Sequence, residues 1–170
     1  MSRTYDNQSL SESGNRIDTL LEMERHFNNR DGQYFRDLLS HKDNVIRTRA
    51  ICILAEIAGQ EAVKNLSDVL KNDKDLLVRH EAAFSLGQLG FASAIGALSD
   101  AVTSDPSAFV RHEAAIGLGV IGSEEGKAVL DKALGDESEE VRESAKIALA
   151  NIDYVTQVKR YNKFSKMTGG

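Results

Sequence analysis

The sequence predicts an all-α fold, an α-solenoid of about four helical hairpins with one further helix capping its N-terminal end. Three observations carry this reading. The segment VRHEAAFSLGQLG (78–90) recurs as VRHEAAIGLGVIG (110–122), identical at nine of thirteen positions, and weaker copies stand at 46–59 and 141–152. Arg47, Arg79, Arg111 and Arg142 mark one place in each copy at spacings of 32, 32 and 31 residues. A period of that length means stacked units, each too small to bury its apolar face alone. Finally, one proline, no tryptophan and no alternating run of Val, Ile and Thr leave strands without support.

Taken along the chain, residues 1–14 are polar and expected to be loose, and 16–29 form the capping helix. Each repeat then contributes two helices. The first helices are expected over 33–40, 61–72, 92–103 and 124–135, each with its own apolar stripe. Asp43, Asp75, Ser107 and Ser138 stand before the second helices, where a side-chain oxygen caps free N–H groups. Val78, Ala82, Leu86 and Leu89 follow a helical period, as do Val110, Ala114, Leu118 and Ile121, and Gly90 and Gly122 end those helices. The repeat domain is therefore expected over 15–155, followed by a loose basic tail over 156–170.

Composition narrows the function classes. The net charge of −5 argues mildly against a nucleic-acid binder, which normally shows a basic face. No apolar run reaches the roughly 18 residues of a membrane span, and the first residues lack the apolar core of a secretory signal. A lone cysteine, Cys52, rules out an internal disulfide and suits a reducing cytosol; it falls within the apolar pattern of the first repeat.

The middle two repeats carry the chemistry-bearing residues, His80-Glu81 and His112-Glu113, at one register position. At about 100° per residue, His80 falls nearly opposite the apolar stripe, beside Ala83 and Gly87, and Glu81 falls on a flank. His112 lies in the same way beside Ala115 and Gly119, so the small neighbours are expected to leave room around the imidazoles. Second helices of adjacent repeats pack about 8–10 Å apart, close enough for two imidazoles to meet at one ion. Imidazole with carboxylate suits non-haem iron or another first-row metal, although polar residues on a solvated helix face have the same pattern.

Other motifs carry less. GLGVIG (117–122) spells G-x-G-x-x-G but closes a helix instead of opening one, and neither His-Glu pair continues to H-E-x-x-H. The arginine series is read as structural, paired with Asp68, Asp100 and Asp131 of the first helices. His26 and His41 are read as surface residues, and the basic, aromatic-bearing segment 158–170 as a frayed end.

The pattern V-R-x-x-A-x-x-x-L-G over 33–152 resembles the HEAT-like repeats also found in phycobilisome lyases. Consecutive repeats bearing R-H-E-A-A and running into L-G-x-[LI]-G resemble, more narrowly, one half of deoxyhypusine hydroxylase. The order agrees: a repeat without the pair, two with it, then Val141-Arg142-Glu143-Ser144. That resemblance implies a di-iron monooxygenase acting on a modified lysine of a translation factor. The family carries four His-Glu motifs on two joined halves, whereas this sequence has two. A homodimer would restore four and hold two Fe(II) ions. By the same analogy His80 and His112 of one subunit would join Glu81 of the other at each iron. Glu113, also a candidate ligand, would face the cationic substrate as the catalytic carboxylate. The competing reading is a non-catalytic HEAT-repeat scaffold that holds a protein partner, with a bilin-lyase relative behind it.

Overall fold

The computed structural model describes residues 7–160, with side chains from Arg16 onward. Every regular element among them is helical. Helix α1 spans Asn7–Asn28 and α2 spans Gly32–Leu38; α3 is Asn44–Ala58, α4 Val63–Asn72 and α5 Leu76–Leu89. They are followed by α6 (Ile95–Ser104), α7 (Ala108–Ile121), α8 (Lys127–Ala133) and α9 (Glu139–Arg160). No helix among the described residues is long and apolar enough to cross a membrane.

The helices form two layers. Second helices α3, α5, α7 and α9 pack side by side in one, and first helices α4, α6 and α8 run along the other, each hairpin closing on its own partner. Between the layers lies the apolar stripe of the repeat: Ile46, Val78, Val110 and Val141, each 0% exposed, with Leu54, Leu86 and Leu118 further along the same helices. The first helices answer with Leu66, Leu98 and Leu130. Burying such side chains is the main force holding the stack together.

Three of the first helices begin in a tight 3₁₀ turn, at Gly59–Ala62, Ala92–Ala94 and Glu124–Gly126, where the sequence suggested plain helix. Gly90 and Gly122, at φ 70° and 65°, take the left-handed conformation that turns the chain out of α5 and α7. Asp43 accepts from the Val45 N–H and Asp75 from those of Leu77 and Val78, as capping requires. Ser107 differs, because its backbone carbonyl, not its hydroxyl, receives the N–H groups of Val110 and Arg111. Ser138 receives the Val141 N–H only at 3.5 Å and points its own hydroxyl at Glu140.

The terminal helices extend beyond the span of the apolar pattern. Helix α1 starts at Asn7, inside the stretch 1–14 expected to be loose, and α9 runs to Arg160, past the boundary at 155. Val155 of α9 sits against Gly122, and the Thr156 hydroxyl donates to Glu124 at 2.8 Å, so the helix still has neighbours at this point. Residues 161–170, most of the basic tail, and 1–6 lie outside the described residues.

Candidate site at the seam of the second helices

The second helices meet backbone to backbone. A Cβ placed on Gly87 would stand 2.6 Å from the Cα of Gly117, and one on Gly119 would stand 2.7 Å from the Cα of Ala148. Ala83 and Ala115 are 0% exposed. The small residues beside the imidazoles are thus not room on an open face, as angle counting implied. They are the contact surface that lets α5, α7 and α9 approach closely. The glycines of GLGVIG are accounted for by the same packing and by the turn at Gly122.

The histidines sit at the edge of these seams. His80 stacks on Phe109, with ring centroids 4.0 Å apart and planes 7° from parallel. Its Nε2 lies 3.3 Å from Oε2 of Glu113 on the next helix, and Glu113 is only 9% exposed. His112 uses its other ring nitrogen: its Nδ1 is 2.6 Å from the hydroxyl of Ser144 on α9. Glu81 leaves the imidazoles altogether and accepts a hydrogen bond from the Cys52 thiol of α3, at 3.1 Å. Burial, then the hydrogen bond and charge of Glu81, push that thiol up to about 12, which favours its protonated form.

One chain therefore unites His80 with Glu113 and separates Glu81 and His112 from them. Among the described residues no group of three or more His, Cys, Asp or Glu side chains comes together to hold a metal. The donors fit iron in kind, imidazole nitrogen and carboxylate oxygen. In number they amount to part of a site.

Sequence reasoning missed Cys52, Phe109 and Ser144 as members of this row. One of them stands at a register position of the site: Ser144 is the counterpart of Glu81 and Glu113. His26 and His41 also have structural work. His26 stacks on Tyr34 at 3.6 Å and pairs with Asp31 at 2.8 Å, and the His41 ring accepts from the Asp43 N–H.

The arginines run along a separate line. Arg47 grips Asp73, Arg79 grips Asp105 and Arg111 grips Asp136, each through Nε and Nη2 at 2.7–3.0 Å. Asp68, Asp100 and Asp131, the partners expected from sequence, are exposed on the first helices instead. The aspartates actually used lie in the loops entering the second helices. Each also accepts the N–H two residues on, from Asp75, Ser107 and Ser138 respectively. Each arginine further donates Nη1 to a carbonyl of its own loop, such as Asp73 O for Arg79 and Asp105 O for Arg111. Neighbouring repeats are stitched loop to helix in this way. Arg16 of α1 pairs through Nε with Asp43, the residue that caps α3, at 2.6 Å, and so ties α1 to the start of that helix.

These features define a helical-hairpin repeat protein with an arginine ladder for structure and a His-Glu row at the seams. The chain belongs to the HEAT-repeat family, which matches residues 28–86 and 63–150. It is similar to the structure of human deoxyhypusine hydroxylase in complex with glycerol, at a TM-score of 0.70 and 25% identity. That likeness covers 88% of this chain and 51% of the other, so the chain spans about half the length of that enzyme. No curated protein sequence matches it.

Proposed function

We propose that this chain is an iron-dependent monooxygenase of the deoxyhypusine hydroxylase type, whose metal site is completed by a second copy of itself. The observation that carries the reading is the pairing of His80 and Glu113 across the seam, in a chain that resembles one half of that enzyme. Within each copy His80, Glu113 and His112 would supply donors. Glu81 would join only across the dimer or by leaving Cys52. The substrate would be deoxyhypusine on a translation factor or a similarly modified lysine. Bound iron, two Fe(II) per dimer, would supply dioxygen activation. The chain's own residues orient the donors: Phe109 fixes the ring plane of His80, and burial of Glu113 keeps its carboxylate beside that ring.

The test is metal analysis and sizing of protein purified anaerobically with iron supplied. The expected result is an iron-bearing dimer, with iron lost in His80→Ala and in His112→Ala. A metal-free monomer overturns the proposal. It would favour the second reading, a scaffold that holds a protein partner, which has its own support. The register position of Cys52, Phe84, Ile116 and Ile147 forms a largely apolar row, with Phe84 43% and Ile147 69% exposed. Exposed apolar side chains in line are the raw material of a docking surface.

A further inference from the structure

The two imidazoles are not equivalent, and the difference comes from the residue that follows each in register. Opposite His80 that residue is Glu113, and the contact is made by Nε2. Opposite His112 it is Ser144, and the contact is made by Nδ1.

Ser144 is nearly buried at 4% exposure, and its hydroxyl lies 2.7 Å from the carbonyl of Glu140, one helical turn back. A hydroxyl has one hydrogen. If that hydrogen goes to the carbonyl, the oxygen's remaining capacity toward His112, at 2.6 Å, is as an acceptor. The carbonyl of Glu140 also faces Nδ1 directly, at 3.5 Å, and a carbonyl only accepts. Both groups around Nδ1 therefore call for a proton on it. A neutral imidazole has one N–H, so Nε2 is left bare.

We infer that Ser144 is a positioning residue: it holds His112 as the Nδ1–H tautomer and keeps Nε2 as a free lone pair, the atom available to a metal ion. The tautomer stands on these contacts alone. Only the use of Nε2 as a metal donor rests on the proposed iron chemistry.

Two measurements separate the parts. Long-range ¹H–¹⁵N correlation on metal-free protein, above the ordinary histidine range, reads each ring nitrogen directly. His112 should show a protonated Nδ1 and a bare Nε2. Ser144→Ala should lose that preference, and Ser144→Thr, which retains a hydroxyl, should restore it. A protonated Nε2 in the native protein overturns the inference, as does a tautomer unchanged in Ser144→Ala. Titration with Zn²⁺ alone, followed through the His112 signals, gives the second reading. Ser144→Ala should weaken binding by about 10–100-fold, the usual effect of losing the group that orients a ligating histidine. If the tautomer is as stated but Zn²⁺ leaves His112 untouched, the metal-binding function falls and the positioning role of Ser144 survives.

Discussion

The arginine ladder and the His-Glu pair are both copied between repeats, the pair in the middle two alone, yet only the ladder repeats in space. Arg47, Arg79 and Arg111 make the same two-pronged contact three times, because the aspartate that receives each of them is copied along with it. The row makes a different contact at each rung: Glu81 with Cys52, His80 with Glu113, His112 with Ser144. Duplicated residues give duplicated geometry only when their neighbours across the seam are duplicated too. The ladder has the constancy of a structural device, and the row has the local variation expected of a site.

The strongest way to break this comparison is to cut the ladder. Arg79→Ala should destabilise the chain by about 3–5 kcal/mol in urea unfolding, since it strands the buried Asp105 carboxylate. Arg142→Ala should cost under about 1 kcal/mol, because the contacts of Arg142 are carbonyls of Asp136 and Glu137 at a partly exposed position. Equal losses would mean that the bidentate pairs are not what sets the ladder apart.

Next in size is the seam. Gly87→Ala drives a methyl into the Gly117 backbone and should cost about 1–3 kcal/mol by overpacking, despite alanine's better helix propensity. Gly117→Ala, whose Cβ would sit at 3.3 Å, should cost less. A neutral Gly87→Ala would mean that the helices are free to separate and that the His80–Glu113 contact is not held by packing.

A smaller effect is read by pH. The hydrogen bond from Arg111 holds the Asp136 carboxyl below its ordinary range. A carboxylate with a lowered folded-state pKa stabilises fully above its unfolded-state pKa and loses that contribution as pH falls through the folded one. Asp136→Asn should therefore lower the melting temperature near neutrality, with the gap from the native protein closing in acid. A gap that stays constant would remove the charge from the account.

The smallest effect belongs to the row. Cys52 should resist iodoacetamide at mildly alkaline pH, and Glu81→Gln should speed its labelling several-fold by removing the carboxylate that disfavours the thiolate. An unchanged rate would break the Cys52–Glu81 pairing and return Glu81 to the imidazoles.

The division between what was legible in the sequence and what was not follows the range of the interactions. Val78, Ala82 and Leu86 announced their helix, and Arg79 its repeat, because an apolar period and a copied segment are local patterns. The same periodicity moved His80 away from the core stripe. It could not say that Gly87 meets Gly117, and so it mistook a packed seam for an open face. It also paired Arg79 with Asp100, on a first helix, instead of Asp105 in the loop beyond. Helical angle counting gives direction around one axis, not distance to the next.

By itself the sequence determined the helical hairpins, their number, their order and the apolar stripe that joins the layers. Hydrophobic burial is non-directional and satisfied by period alone. The tertiary structure alone decided the partners of the polar residues. Hydrogen bonds and ion pairs depend on ångström-scale placement between residues 25–33 positions apart in the chain, set by how closely the second helices pack.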